Sequence, residues 1–336
     1  MKLIGLVESE NHVCCRYRLS AFRPMLAQAG HSLELVSIPS HPIARLRLFC
    51  SLTRYDAVVV QRKLLGRLSV SLLRRYAHRL IFDLDDAIWL RDSYHPKGID
   101  SRKKLRRFES ICRASDLVIA GNDHLARFAN RFATDRVETI PTCVDPSRYP
   151  LALHRSETPS LVWVGSASTL QGLGQIRETL DAVGRAVPGL RLKLICDKPL
   201  ALNSLPVDFV PWNEATETSE IAASDVGIAW MPDDEWSRGK CGLKVLQYLA
   251  AGVPVIANRV GVHTTMIRNG QNGYLADSPQ EWIEAVQSLL VDLERRRKMG
   301  LAGRAFVDFE YSTTEGSRRW NAALELLSSA SHRRAG

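Results

Sequence analysis

The chain contains no uninterrupted apolar run of the ~18 residues that a membrane-spanning helix needs, so no transmembrane segment is expected. Its first residues, KLIGLV, read directly as a strand rather than a signal peptide, and a soluble cytoplasmic protein is expected. Its seven cysteines (Cys14, Cys15, Cys50, Cys112, Cys143, Cys196 and Cys241) are odd in number and lack CxxC or Cys/His ligand spacing. That scatter argues against a zinc site or a disulfide framework and fits reduced, mostly buried thiols. Low-complexity tracts and repeats at a solenoid period are absent as well.

What is present is enough for two cores: 336 residues, 45% of them hydrophobic. Strand-like and helix-like patterns alternate twice. The first half gives strands near Lys2–Val7, Ser32–Ser37, Asp56–Val60, Leu80–Leu84, Leu117–Ala120 and Val137–Ile140, with amphipathic segments between them. The second restarts at Ser160–Gly165 and continues through Leu192–Cys196, Asp208–Val210, Val226–Trp230, Val253–Ala257 and Gly273–Leu275. This spacing predicts α/β architecture with two Rossmann-like, doubly wound parallel-sheet domains. Between the halves, Pro141 to Arg155 holds three prolines and no clear period, which suits a linker or hinge.

Charge is unevenly spread. Residues 1–150 hold 25 Lys plus Arg against 15 Asp plus Glu, and the remainder 20 against 21, so the whole net charge of +9 lies in the first half. Arg62, Lys63, Arg67, Arg74, Arg75 and Arg79 flank an apolar set of Leu64, Leu65, Leu68, Leu72 and Leu73, and Arg102, Lys103, Lys104, Arg106 and Arg107 follow. A basic amphipathic helix can rest on an anionic membrane as a peripheral contact; a solvated helix with its apolar side in the core is the blander reading. These runs carry no interleaved aromatic stacking residues and no recognition motif, so nucleic acid is not expected as a partner.

Residues 238–257, RGKCGLKVLQYLAAGVPVIA, read as a glycine-interrupted turn, an amphipathic helix and a buried strand. Gly239 and Gly242 let the backbone approach a ligand, the helix opening near Leu243 aims free N–H groups at it, and Arg238, Lys240 and Lys244 add positive charge. The alternative is an ordinary αβ unit whose glycines only cap a helix. Lys244, Tyr248, Ala250, Gly252 and Pro254–Ala257 also resemble the KxxEYxAxGxPVIA signature of family 4-like glycosyltransferases of the GT-B fold. The resemblance implies two domains facing across a cleft: an acceptor domain over 1–141, a linker over 142–156, a nucleotide-sugar donor domain over 157–311, and a C-terminal helix over 312–336 returning toward the first domain. IPTCVDPSRYP resembles the IPNGVDxxRF linker of that fold.

FDLDDAIW, residues 82–89, places Asp83, Asp85 and Asp86 just past a buried strand. Three acids so close repel one another unless cations, hydrogen bonds or a proton compensate, so a raised pKa suited to base chemistry is expected in at least one. They could position or deprotonate an acceptor hydroxyl, bind magnesium, or cap the next helix. The segment resembles one found in the acceptor domain of a subset of family 4-like enzymes, and also the FDxDGT opening of haloacid-dehalogenase phosphatases. That motif has Gly-Thr where this chain has Asp86-Ala87, and it opens the first strand of its domain rather than the fourth.

Other segments resemble the same glycosyltransferase subset. VWVGSASTLQGL resembles the loop opening the donor domain, where Gly165 permits a tight turn and Ser166, Ser168 and Thr169 can bond a phosphate or sugar. Residues 209–242 resemble its run from the base-binding strand to the donor loop, with Trp212 and Glu214 at the nucleobase and Gly239, Cys241, Gly242, Leu243, Lys244 and Gln247 at the ribose and diphosphate. CCRYRL resembles an SxRYR stretch, which makes Arg16 and Arg18, with His12 and Asp83, candidate acceptor contacts; a surface role at a helix start is the alternative for the two arginines. Departures are plain: where relatives carry two glutamates eight positions apart, this chain has Gly239 and Gln247, and Ser166 and Gln171 replace the usual arginine and lysine. No histidine stands at Asp85–Asp86; His12, His124 and His263 are further candidates. The resemblance implies a retaining transfer of a sugar from a nucleotide-sugar co-substrate to a glycan or lipid-linked acceptor in cell-surface polysaccharide or glycolipid assembly. Arg238, Lys240, Asp85 and Asp86 would be the catalytic groups, with no obligatory metal and no other cofactor. A metal-dependent phosphatase using Asp83 and Asp85, and a non-catalytic glycosyltransferase-like subunit, are the alternatives.

Overall fold

Alternation of short apolar runs with amphipathic stretches produces two wholly parallel six-stranded sheets. The structure is a computed structural model describing residues 1–134, 136–155 and 158–334. Residue 135, residue 156 of the expected linker, residue 157 opening the expected donor domain, and residues 335–336 of the expected C-terminal segment lie outside the described residues.

The first sheet contains β1 (Lys2–Val7), β2 (Ser32–Ser37), β3 (Ala57–Gln61), β4 (Leu80–Leu84), β5 (Leu117–Ala120) and β6 (Arg136–Thr139), in the order β2-β1-β3-β4-β5-β6. The second contains β7 (Ser160–Val164), β8 (Arg191–Cys196), β9 (Val207–Pro211), β10 (Val226–Ala229), β11 (Val255–Ala257) and β12 (Gly273–Leu275), in the order β12-β11-β10-β7-β8-β9. Every expected strand forms. The largest shift is at β11, which starts at Val255 rather than Val253: the Val253 amide still bonds the Tyr248 carbonyl at 2.9 Å, closing the preceding helix, and Pro254 has no N–H to donate. Counted within its own half, the second sheet has the strand order of a dinucleotide-binding fold, whereas the first has the flavodoxin-like order. The direction of winding reverses between β1 and β3 in one and between β7 and β10 in the other, and ligands bind such sheets outside the carboxyl ends of the strands at those points.

The chain divides into two units. The first comprises Met1–Cys143, Asp234–Cys241 and Thr313–Gly336; the second, Val144–Asp233 and Gly242–Ser312. This departs from the expected boundaries in two places. Most of the expected linker belongs to the second unit, because Ala152 N bonds Ala251 O at 2.8 Å, His154 Nε2 contacts Gly252 O at 3.0 Å and Arg304 donates to Tyr149 O at 3.1 Å. Eight residues of the expected donor domain, Asp234–Cys241, belong to the first.

Within the first unit, Phe49, Val70, Leu73, Phe108 and Ile111 pack on one side of the sheet with Val58, Leu80 and Phe82. On the other side Phe22 and Leu26 pack with Trp320, Ala323, Leu324 and Leu327 of the helix Thr313–Arg334. Those four positions form one stripe at helical period, and burying Trp320 and Leu324 contributes roughly 1.5–3 kcal/mol each. Gly316 lets this helix come close, since a Cβ there would lie 2.6 Å from Phe22 and 2.7 Å from Cys143. The second unit's core gathers Trp163, Leu180, Leu194, Ile228 and Trp282. Among the described residues no helix is long and apolar enough to cross a membrane.

Candidate functional site

In the first unit the candidate residues collect at the carboxyl edge of β1, β3 and β4. Strand alternation turns Phe82 and Leu84 to one side of the sheet and Asp83 to the other, where the helix Val13–Arg18 lies. There Arg18 Nη2 donates to Asp83 Oδ1 at 2.5 Å, Arg18 Nε to Asp83 Oδ2 at 3.3 Å, and Arg18 Nη1 to Ile140 O at 2.5 Å. Both side chains are fully buried. Arg18 and Asp83, expected as acceptor contacts, spend their charged atoms on each other, as a buried fork-to-fork pair that fixes the helix against β4. Burial pushes the Asp83 carboxyl above its ordinary range despite Arg18. His12 caps the same helix, accepting from Cys14 N at 3.3 Å, and Arg16 lies beside the Tyr17 ring.

Asp85 and Asp86 follow β4 and meet a cation that the sequence reading placed on an amphipathic helix. Arg62 instead comes directly after β3, before the helix Arg67–Tyr76 begins, with φ +55°, a left-handed conformation costly for a residue with a side chain. Its guanidinium reaches Asp85 Oδ1 at 3.2 Å and Asp86 Oδ2 at 3.1 Å and contacts Cys14 Sγ. Burial raises the Asp85 pKa, but Arg62 and then Arg18 overcome it, so Asp85 lies below its ordinary range. A carboxylate so held is an anion that orients a neighbour rather than a poised base. The Cys14 thiol is pushed up by burial and by Asp85, and stays protonated.

The third cation arrives from the segment Asp234–Cys241. Asp234 caps the turn Glu235–Arg238 by accepting from Ser237 N at 2.8 Å. Asn122, whose Oδ1 caps the helix Asp123–Ala129, donates through Nδ2 to Lys240 O at 2.9 Å and Arg238 O at 3.4 Å. Gly239 rests against Ala87, where a Cβ would come within 2.6 Å. Lys240 Nζ thereby sits 2.9 Å from Asp86 Oδ2 and 3.5 Å from the centre of the Trp236 ring. Arg238 pairs with Glu235 at 3.0 Å. Cys241 is buried, and burial followed by Asp85 raises its thiol. His124 lies 3.5 Å from Glu235 and stacks on Trp89.

In the second unit, β7 and β10 diverge at the winding reversal, and Tyr248 fills the wedge. Its hydroxyl accepts from Val164 N at 2.9 Å, and Gly227 makes room for its ring. Tyr248 belongs to the helix Leu243–Ala250, which starts after Gly242 at φ +67°. A side chain at Gly242 would be strained and would meet Met266 Sδ at 2.6 Å, so glycine is required, and the first amides of the helix are left without intrahelical acceptors. Lys244 Nζ lies 4.1 Å from the centre of the buried Trp163 ring. Gln247 is buried in this helix. A turn of this kind, with helix amides, dipole and lysine together, suits an anionic phosphate.

The other expected donor contacts are more self-contained. Gly165 has no room for a Cβ against Trp163 and Thr169; Thr169 Oγ1 bonds the Ser166 backbone, and the Ser166 and Ser168 hydroxyls lie 2.8 Å apart, so these residues cap their own helix, Ala167–Gln175. Asp197 already takes the Ala167 N–H at 2.5 Å. Trp212 keeps an exposed ring and donates from Nε1 to Glu217 at 2.8 Å, and Glu214 lies on the surface 3.9 Å from Arg148.

The chain aligns with sucrose-phosphate synthase from Thermosynechococcus elongatus at TM-score 0.75 and 16% identity, covering 98% of this chain and 99% of that one. It aligns with Anabaena HepE, solved with UDP and glucose, at TM-score 0.70 and 16% identity, covering 97% and 99%. The fold is GT-B. Residues 158–292, most of this GT-B chain's second unit, match the family described as glycosyl transferases group 1. Among curated proteins, a GDP-mannose-dependent alpha-(1-6)-phosphatidylinositol monomannoside mannosyltransferase of Mycobacterium tuberculosis is 27% identical over 228 residues, 60% of this chain and 57% of that protein. A D-inositol 3-phosphate glycosyltransferase of Nocardia farcinica is 39% identical over 197 residues, 50% of this chain and 42% of that protein. The chain thus spans roughly half the length of these relatives.

Arg62, Asn122, Trp163 and Trp236 were not singled out as site residues by sequence. Asn122 carried a visible signal, an N-cap residue just past a strand, but only for its helix.

Proposed function

We propose that the protein is a glycosyltransferase that moves a sugar from a nucleotide-sugar donor to a hydroxyl of a glycan or lipid-linked acceptor, with retention of configuration, in cell-surface polysaccharide or glycolipid assembly. The observation that carries this reading is the Gly242 turn, which sets a helix N-terminus and Lys244 at the winding reversal of a dinucleotide-type sheet. The family match over 158–292 and the glycosyltransferase relatives support it. In this reading the helix amides and Lys244 take the donor phosphates. Arg238 and Lys240, directly ahead of the turn in the chain, offset the charge developing on the leaving diphosphate, so no metal is required. Gln247 orients the ribose, and Trp212 with Glu214 meets the base. Asp85 and Asp86, paired with Arg62 and, for Asp86, with Lys240, orient the acceptor hydroxyl.

A phosphatase built on Asp83 and Asp85 is the weaker reading, because Asp83 already gives both oxygens to Arg18. The deciding experiment is a thermal-shift screen with UDP, GDP, CMP and their sugars in EDTA, repeated on Lys244→Ala and on Arg238→Ala with Lys240→Ala. One nucleotide at 100-fold its Kd should stabilise by about 2.7 kcal/mol, and the variants should lose that gain. No shift with any nucleotide, but one with magnesium and a phosphate mimic, would overturn the reading in favour of the phosphatase. Nucleotide binding without sugar transfer or donor hydrolysis would instead make the chain a non-catalytic subunit.

A further inference from the structure

Three helices of the first unit, Pro42–Cys50, Arg67–Tyr76 and Arg102–Ala114, pack side by side on one side of its sheet and share one core. They carry two, three and six Lys or Arg residues respectively, against a single acid, Glu109. Arg74 pairs with Asp116 and Arg113 with Glu109. Arg47, Arg67, Arg75, Arg102, Lys103 and Arg106 are exposed, and no carboxylate among the described residues pairs with them. The apolar residues of the second helix divide in a way that periodicity alone does not reveal. Val70 and Leu73 enter the core, whereas Leu68 is 84% exposed and Leu72 37%. On the neighbouring helix Ile43 is 58% exposed and Leu46 44%. Leu68, Leu72 and Arg75 fall at i, i+4 and i+7, and Ile43, Leu46 and Arg47 at i, i+3 and i+4, so each helix presents aliphatic side chains and, on the same stripe, a cation that no carboxylate among the described residues pairs with.

Cations lacking acids attract an anionic surface, and exposed aliphatic side chains beside them gain by leaving water. Nucleic acid would use the charge but leave the leucines in water, and it favours stacking aromatics, which these stripes lack. We propose that this three-helix layer rests on an anionic lipid surface, with Ile43, Leu46, Leu68 and Leu72 entering the headgroup boundary and Arg67, Arg75, Arg102, Lys103 and Arg106 meeting lipid phosphates. Arg62 and Lys63 take no part: Arg62 is turned to Asp85 and Asp86, and Lys63 to Glu8. Docking requires nothing of the donor turn, so it can hold or fail independently of the transfer chemistry.

The test is co-sedimentation of the full chain with vesicles of phosphatidylcholine alone and with ~30% phosphatidylglycerol added, at low and high salt. The chain should sediment with the anionic vesicles and not the neutral ones. Arg67→Gln with Arg75→Gln should lower partitioning about 10–30-fold at low salt, at roughly fivefold per cation. Leu68→Ser with Leu72→Ser should remove most of the binding that survives high salt. Both pairs lie at the surface, so their melting temperatures should match the parent's. Failure to sediment with anionic vesicles, or binding that neither pair alters, overturns the proposal. Tight binding to a DNA duplex together with vesicle binding insensitive to the leucine pair would likewise overturn it, marking the face as a polyanion site.

Discussion

Lys240 and Asp86 stand 154 positions apart in the chain and meet at 2.9 Å. The ammonium lies between that carboxylate and the Trp236 ring, in a segment whose carbonyls Asn122 holds. The turn carrying Arg238 and Lys240 is therefore fastened to the strand edge that carries Asp85 and Asp86. Changes at either end should be felt at both.

Asn122→Asp keeps an oxygen for the cap at Leu125 N but replaces the donor to Lys240 O and Arg238 O with a second acceptor. Stability should fall by about 1–3 kcal/mol, and hydrogen exchange of amides 236–241 should quicken before that of the rest of the first unit. Unchanged exchange in that segment would mean that Asn122 is only a helix cap.

Arg18→Met leaves the Asp83 carboxylate buried without its partner, a loss of roughly 3–5 kcal/mol. The sign of its pH dependence follows. Burial already holds the folded pKa of Asp83 above its ordinary value, and without Arg18 it rises further, so the added penalty is full at neutral pH and shrinks as pH falls toward about 4, where the unfolded carboxyl also binds a proton. Urea unfolding at pH 7 and pH 4.5 measures this, and adding Asp83→Asn should recover part of the loss at pH 7 only.

Tyr248→Phe strands the Val164 N–H and should cost about 1–3 kcal/mol. Gly227→Ala should cost at least as much, because its Cβ would meet the Tyr248 ring at 2.5 Å. The two costs should not add, since both disturb one wedge; a double-mutant cycle that is additive within ~0.3 kcal/mol would contradict this.

His263 is buried, and burial, helped by Lys244, lowers its pKa to about 4 against the pull of the Asn258 carbonyl at 3.0 Å. The unfolded imidazole binds a proton near pH 6.5 and the folded one does not, so stability is full above that pH and falls by ~3 kcal/mol as pH drops to about 4. His263→Asn should flatten the slope of unfolding free energy between pH 6.5 and 4; an identical slope would show that other groups set it.

Periodicity and turn residues along the chain determined the two parallel sheets, because apolar runs at strand length, helical stripes such as Trp320–Leu327 and punctuation such as Gly252-Val253-Pro254 are local properties. The Gly242 turn was legible for the same reason: a glycine, a helix start and a lysine lie within three residues. Which charges meet was not legible, since pairing depends on which strands become neighbours. Arg62 reads like one more residue of a basic helix until β3 and β4 lie side by side and bring it to Asp85. Arg18 and Asp83 read like ligand contacts until the sheet closes over them. Burial likewise decided which leucines of Arg67–Tyr76 enter the core and which remain outside, and the hydrogen bonds from Asn122 fastened residues 234–241 to the first unit, although the chain order places them in the second. Local pattern fixes what each segment becomes, but contacts between distant segments exist only once the sheets have assembled.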